Sequence, residues 1–284
     1  MIFKIPKRIL AVTLSVAVIL AATIAATARA EQDSVVLPVI MYHHISANSN
    51  ALGEYVVSPE QFRSDLVCLK EQGYTTVSAK QLADFVSGKG TLPEKPILIT
   101  FDDGYASFYA YAFPILKELQ MKAVFSIIGT HTDRYSQISD SNVNYAHVTW
   151  EQAAEMSQSW LVEIGNHTYD LHRNDARKGC RIKRGENEED YRKMLIEDVV
   201  KLQKKITEAT GVTPTVFTYP FGFHCSQGCE VINKLGFEVT LGCEEKVNRL
   251  TKGSPECLKM LGRYNRASGK SSEDFFRQII EMGA

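Results

Sequence analysis

The 284-residue sequence has almost no charge imbalance, with 32 lysine and arginine residues against 33 aspartate and glutamate residues. A formal net charge of −1 lacks the basic excess typical of nucleic-acid-binding proteins, so we expect no nucleic-acid partner. The sequence also lacks internal repeats, low-complexity tracts and linkers rich in proline and glycine. These absences favour a single globular domain over an array of small ones.

The first 30 residues have a composition of their own. Three basic residues precede an uncharged run over residues 9–26, and Ala28-Arg29-Ala30 supplies a small-residue cleavage pattern. The segment predicts a secretory signal peptide over residues 1–30. The alternative is an uncleaved membrane anchor, since the run approaches the ~18 residues that span a bilayer. In both cases we expect residues 31–284 to lie outside the cytoplasm, either secreted or at the cell surface.

All six cysteines fall after the predicted signal peptide, at positions 68, 180, 225, 229, 243 and 257. An even count in an exported protein permits up to three disulfides, but the sequence does not select their pairing. Cys225 and Cys229 flank a turn beside His224, which has the appearance of a zinc site. Because a fourth ligand is missing, oxidation is the favoured interpretation for this pair.

Strand and helix patterns alternate along the chain after residue 36. Ser58, Ser78 and Thr149 each precede a helix pattern with Gln three residues later, which is a helix N-terminus signal. A continuous apolar strand is predicted over residues 97–101, and a long helix over 188–210. Residues 129–147 are predicted to be irregular, and a last strand is predicted near 258–261. The alternation predicts one parallel α/β sheet, either open or closed into a barrel.

Ionisable residues follow two of the predicted strands. Asp102 and Asp103 come directly after the strand at 97–101, and adjacent carboxylates are costly without a nearby cation. His167 and His172 share a later loop, and two histidines with one aspartate form the ligand set of a catalytic zinc site. Each motif alone has an ordinary structural interpretation, as a turn or as solvated histidines. Their combination favours a metal site at the carboxyl edge of the sheet.

A third loop, Tyr219-Pro220-Phe221-Gly222, is by itself only a turn signal. Its glycine permits a close backbone approach, so the loop is able to present the Phe221 N–H to a developing oxyanion.

Together these motifs resemble those of the polysaccharide deacetylases, which share the NodB homology domain and form carbohydrate esterase family 4. The resemblance covers order and spacing over the whole of residues 31–284, including the opening Leu37-Pro38-Val39-Ile40-Met41-Tyr42-His43-His44. It implies a distorted (β/α) barrel of about seven parallel strands. It also implies that residues 31–284 are a catalytic domain that hydrolyses N-acetyl groups on a carbohydrate polymer.

The resemblance also assigns roles to individual residues. It implies that Asp102 is the catalytic base, and that Asp103, His167 and His172 bind zinc or another divalent metal such as Co²⁺ or Ni²⁺. The backbone N–H of Phe221 would help to hold the oxyanion.

The sequence departs from the common family pattern in two ways. The metal-binding histidines are five residues apart rather than four, a spacing shared with the branch that acts on poly-N-acetylglucosamine. The family's late catalytic histidine is replaced by Arg263, for which we expect a role in orienting Asp102. In the same branch the general acid lies in an N-terminal Tyr-His motif. We therefore expect His43 to be the acid, with His44 as the second choice.

The preferred function is N-deacetylation of N-acetylglucosamine units in peptidoglycan, a chitin-like oligomer or an exopolysaccharide. One alternative is an O-acetyl esterase on a xylan-type sugar. The other is an inactive carbohydrate-binding relic, which the missing late histidine favours and the intact Asp102 opposes. We expect a monomer whose only contact with a membrane would be an uncleaved N-terminal segment.

Overall fold

A computed structural model of the protein describes residues 33–138 and 140–283. The predicted signal peptide, residues 1–30, lies outside the described residues, so its assignment stays a prediction. Among the described helices, none is both long enough and apolar enough to cross a membrane.

The described strands and helices alternate along the chain, as the sequence predicts. The strands are β1 (Ser34–Leu37), β2 (Val39–Tyr42), β3 (His44–Ile45), β4 (Val56–Val57), β5 (Thr75–Thr76), β6 (Pro96–Phe101), β7 (Ala123–Ile127), β8 (Val162–Asn166), β9 (Val216–Thr218), β10 (Val239–Leu241), β11 (Asn248–Thr251) and β12 (Tyr264–Asn265). The α-helices are α1 (Pro59–Glu71), α2 (Ala79–Val86), α3 (Phe113–Leu119), α4 (Gly129–Gln137), α5 (Trp150–Gln158), α6 (Glu188–Thr210), α7 (Ser226–Lys234) and α8 (Ser272–Gly283).

Seven parallel strands form the central sheet, in the order β10-β9-β8-β7-β6-β2-β12, and β5 pairs with the start of β6. The sheet curls so that its two ends approach each other. Leu261 donates its N–H to the Thr240 carbonyl and accepts the Gly242 N–H, which joins β10 to the chain that enters β12. The prediction of a distorted barrel of about seven parallel strands is therefore confirmed.

Helix starts follow the predicted capping signals. The Ser58 hydroxyl accepts the Gln61 N–H at 3.0 Å, and reciprocal capping boxes form at Ser78 and Thr149. The long helix α6 covers the predicted range and ends at Gly211, whose φ of 75° is readily adopted only by glycine. These local predictions are confirmed. They were possible because a side-chain cap depends only on residues a few positions apart in the sequence.

Two local predictions were wrong. Residues 129–137 form helix α4, whose buried positions Gly129, Thr132 and Tyr135 recur every three residues but carry little apolar surface. The last barrel strand is β12, after the predicted range of 258–261. Leu261 makes only an isolated bridge to Leu241, and Gly262-Arg263 then leads into the strand.

Aromatic side chains fill the space between the sheet and the helices. Phe108 stacks on Phe125 with ring centroids 4.1 Å apart, and Phe101 meets Phe108 edge-on at 4.7 Å. This apolar packing fixes β6 and β7 and thereby the position of the loop that follows β6. From Val36 onward the chain forms one compact unit.

Candidate active site

The carboxyl ends of the barrel strands surround a cavity of about 670 Å³. Because all strands of the sheet are parallel, the residues that follow them meet at one edge. Six of the seven predicted site residues line this cavity: His43, Asp102, Asp103, His167, His172 and Phe221. The seventh, Arg263, is fully buried behind Asp102.

Asp103, His167 and His172 converge within the cavity. The Asp103 Oδ1 atom lies 3.1 Å from His172 Nε2 and 3.5 Å from His167 Nε2. One ligand atom from each residue falls within 4.8 Å of the other two. Burial alone would raise the pKa of Asp103, but hydrogen bonds from both histidines hold it well below its ordinary value.

The orientation of His167 is set by a backbone carbonyl. Its Nδ1 lies 2.8 Å from the carbonyl oxygen of Thr218, at the end of β9. A carbonyl only accepts hydrogen bonds, so Nδ1 carries a proton and Nε2 is the nitrogen directed into the cavity, where it meets Asp103 and, in the neutral ring, would offer its lone pair to a metal. This is the arrangement of a metal-binding histidine with a supporting hydrogen bond.

The three residues fit a divalent transition metal. Two imidazoles and one carboxylate form the usual protein ligand set of a catalytic zinc site, which leaves coordination positions for water and substrate. The Thr218 contact meets a further requirement, since a metal-binding imidazole needs a fixed tautomer. Within the described residues, no other group of three or more His, Cys, Asp or Glu residues brings its ligand atoms together in this way.

The side chain of Asp102 is held by Arg263. The guanidinium donates to both carboxylate oxygens, at 2.8 Å and 2.7 Å, and both side chains are buried. The Arg263 Nε–H donates to the Gly242 carbonyl at 2.7 Å, which fixes the guanidinium in turn. Burial alone would raise the pKa of Asp102, but the charge and hydrogen bonds of Arg263 lower it below its ordinary value.

Three of the site loops carry a non-glycine residue in the left-handed region. Asp103, Thr168 and Phe221 have φ values of 71°, 70° and 55°. After Asp103, Gly104 continues at φ 78°, where a Cβ would lie 3.2 Å from the Cα of Ile127. Backbone strain of this kind persists only where the surrounding structure enforces it, and it is concentrated at functional sites.

The two N-terminal histidines have different surroundings. His43 follows β2, its Nδ1 is buried without a hydrogen-bond partner among the described residues, and burial lowers the pKa of its imidazole. The Nδ1 of His44 lies 2.9 Å from the Ser107 hydroxyl. Both residues line the cavity, but the Nδ1 of His44 is engaged by Ser107, whereas that of His43 has no partner among the described residues.

The loop with Phe221 lies against the metal-ligand group. The exposed Phe221 ring packs on His172 with centroids 4.3 Å apart. Gly222 adopts φ 67°, and a Cβ there would lie 2.9 Å from the Cβ of Cys243. The loop is therefore confined between the histidine loop and the chain after β10.

All six cysteines, Cys243 among them, are free thiols in the structure.

Sequence reasoning missed two supporting elements. The carboxylate of Asp198, on α6, accepts the N–H groups of Tyr169 and Asp170 at 2.8 Å each and so holds the loop between the two histidines. Burial raises the pKa of Asp198 to about 6. The carbonyl of Thr218 was also missed. Neither element has a sequence signal, because Asp198 is one of many charged residues on α6 and every residue has a carbonyl.

A second histidine pair lies beside the cavity and was also missed. His131 Nδ1 and His147 Nε2 are 2.9 Å apart, and Tyr105 stacks on His147 at 4.8 Å. Burial and the neighbouring His131 lower the pKa of His147 to about 3, so this ring is neutral. The pair packs behind Tyr105, which itself lines the cavity.

The comparison with protein families agrees with this geometry. A family model described as polysaccharide deacetylase matches residues 89–240, which is more than half of the chain. The chain belongs to the polysaccharide deacetylase family. The matched region contains Asp102, Asp103, both histidines of the ligand group and Phe221, whereas His43 and Arg263 fall outside it.

Curated relatives in the family extend the match toward the N-terminus. The poly-β-1,6-N-acetyl-D-glucosamine N-deacetylase of Escherichia coli K12 is 28% identical over 262 residues, covering 86% of this chain and 38% of that protein. The protein of the same name from Staphylococcus aureus N315 is 26% identical over 201 residues, covering 70% of this chain and 65% of that protein. The chain thus spans well under half the length of the Escherichia coli relative.

Solved structures in the family share the fold over nearly their whole length. IcaB from Ammonifex degensii is 27% identical with a TM-score of 0.70, covering 88% of this chain and 97% of that one. A de-N-acetylase from Aggregatibacter actinomycetemcomitans is 28% identical with a TM-score of 0.71, covering 85% of this chain and 100% of that one.

Proposed function

We propose that this chain is a metal-dependent hydrolase that removes N-acetyl groups from N-acetylglucosamine units of an exported polysaccharide. The observation that carries the proposal is that two adjacent carboxylates in one cavity have different partners. Asp103 faces two histidines, whereas Asp102 is held ionised by Arg263 in the same cavity. The names of the curated relatives support poly-β-1,6-N-acetylglucosamine as the polymer.

We propose zinc as the ion, held by Asp103, His167 and His172. The chemistry that such an ion supplies when bound is polarisation of the acetyl carbonyl and acidification of water. His167 contributes Nε2, because its Nδ1–H is committed to Thr218. Both imidazoles must be neutral to bind a metal, so the proton that Asp103 and His167 share has to leave on binding.

The other predicted residues would act on the protons and the developing charge. Asp102 would take a proton from the attacking water, a role for which an ionised and fixed carboxylate is suited. As water adds to the acetyl carbonyl, the Phe221 N–H would donate to the oxyanion. His43 would then protonate the departing nitrogen as the carbon–nitrogen bond breaks, which yields acetate and a free amine on the sugar. Arg263 would orient Asp102 without touching the substrate.

We further propose that residues 31–284 act outside the cytoplasm as a monomer after removal of a signal peptide. The basic and apolar pattern of residues 1–30 supports export. An exported catalytic domain would meet its polymer substrate directly, with no nucleic-acid partner.

The test is acetate release by the zinc-loaded chain from β-1,6-linked N-acetylglucosamine oligomers, chitin oligomers, peptidoglycan and acetylated xylan. We expect release from the β-1,6-linked oligomers that stops on chelation and returns with zinc. The Asp102→Asn variant is the control for metal binding without turnover. Release from acetylated xylan alone would replace the proposal with an O-acetyl esterase. Zinc binding without release from any of the four would replace it with a carbohydrate-binding relic.

A further inference from the structure

Asn265 lies at the carboxyl end of β12, where it pairs in register with Met41 of β2. Both residues line the cavity that contains His43 and the metal-ligand group. The Asn265 Oδ1 atom is buried and has no hydrogen-bond partner among the described residues. A buried amide oxygen without a partner is rare in folded proteins and calls for a specific explanation.

The orientation of the Asn265 amide is fixed by its other contacts. Its Nδ2 donates to the backbone carbonyl of Glu54 at 2.8 Å, and its backbone N–H donates to Glu245 Oε1 at 3.3 Å. A carbonyl cannot donate, so a flipped amide would bring two oxygens to that distance. The free atom is therefore the oxygen, which requires a donor as its partner.

No donor among the described residues lies within hydrogen-bond distance of this oxygen. The nearest acidic residues, Glu54 and Glu245, line the cavity beside Asn265, and a carboxylate accepts hydrogen bonds. Tyr55 also lines the cavity, but its hydroxyl is hydrogen-bonded to Glu54. A sugar with hydroxyl and amide N–H groups would bring the missing donor.

We infer that Asn265 is a substrate-contacting residue whose Oδ1 accepts a hydrogen bond from a hydroxyl or the amide N–H of the acetylated sugar. The inference rests on the proposed function, since it specifies how that substrate is held. The contact positions the sugar from the β2–β12 side of the cavity. Asn265 performs no proton transfer and binds no metal.

The experiment measures steady-state kinetics of the zinc-loaded wild type and Asn265→Ala on N-acetylglucosamine oligomers. We expect kcat/KM to fall roughly 10–100-fold, mainly through KM, with zinc content unchanged. Oligomers that lack single hydroxyls, or that are methylated at the amide nitrogen, identify the donor. On the analogue that lacks the donor group, the wild type and Asn265→Ala should have equal kcat/KM. The surface variant Asn233→Ala is the matched control.

A twofold or smaller change in kcat/KM on the native oligomer, or an equal loss on every analogue, would overturn the inference. Its failure can be distinguished from that of the proposed function by a binding titration. Zinc-loaded Asp102→Asn, with and without Asn265→Ala, is titrated with the same oligomers. Equal affinities would overturn the Asn265 contact, even if the wild type released acetate. Unequal affinities would support it, even if the wild type released none.

Discussion

Arg263 donates two hydrogen bonds to Asp102 from a position 161 residues further along the chain. Asp103, the next residue, contacts His167 and His172 instead. The two adjacent carboxylates therefore have different partners, one a permanent cation and the other two imidazoles. Asp103 adopts a φ of 71°, in the left-handed region, at the point in the chain where these partners change.

Replacing Arg263 with lysine is expected to disturb Asp102 specifically. Lysine keeps the charge but loses the bidentate geometry, so the carboxylate is held less firmly and its pKa rises toward its ordinary value. In the wild type the lowered pKa stabilises the fold above about pH 4, and this contribution is lost as pH falls through the folded-state pKa. The acid limb of kcat/KM should therefore move to higher pH in Arg263→Lys. The measurement is a pH–rate profile.

The matched control is Arg266→Lys. Arg266 forms a second buried bidentate pair, with Asp65, and neither residue lines the cavity. Both variants should lower the free energy of unfolding, by about 1.5–3 kcal/mol each. Only Arg263→Lys should shift the pH profile. An unshifted profile, or the same shift in both variants, would contradict the orienting role.

His43→Ala should reduce turnover while metal content is retained. A general acid contributes roughly 10²–10⁴-fold to the rate, and His43 lines the cavity with its Nδ1 unpartnered among the described residues. His44→Ala is the internal comparison, since its Nδ1 contacts Ser107 instead. We expect its kcat to stay close to that of the wild type. A larger loss of kcat in His44→Ala than in His43→Ala would identify His44 as the general acid. Full activity in both variants would show that neither histidine is the acid.

The parts of the fold that follow from short-range patterns were predictable from the sequence. The apolar run of β6 and the caps at Ser58 and Thr149 depend on residues a few positions apart. The site motifs were equally visible, because Asp102-Asp103 and the histidine pair each occupy one loop. Since parallel strands end at one edge, strand order was not needed to bring these loops together.

What could not be predicted depends on distant contacts or on polar burial. The sequence identified Arg263 as the replacement for the family's late histidine and predicted that it orients Asp102, but the two hydrogen bonds between these residues depend on the closure of the barrel. Helix α4 was missed because its buried face uses Gly129 and Thr132, which a search for apolar periodicity does not count. The Asn265 oxygen became notable only once all its neighbours were known.

Removal of one histidine ligand should abolish metal binding. We expect His172→Ala to lose most of its zinc after dialysis, whereas the wild type keeps about one equivalent, because two ligands hold the ion far less well than three. His224→Ala is the control, since His224 is exposed and outside the ligand group. Metal content is measured by elemental analysis. Full zinc retention in His172→Ala would place the ion elsewhere.

Asp198→Asn should weaken zinc binding, although Asp198 is not one of the three proposed ligands. The two Asp198 oxygens accept the N–H groups of Tyr169 and Asp170, which fixes the loop that carries His172. An asparagine provides one oxygen and one NH2 group, so one of the two backbone donors would face another donor. Changes to such supporting groups typically cost 10–100-fold in metal affinity. Glu197→Gln, the same acid-to-amide change at an exposed position of α6, should bind zinc as the wild type does. Competition with a chelator of known affinity measures all three proteins, and equal zinc affinities would show that Asp198 does not position the loop.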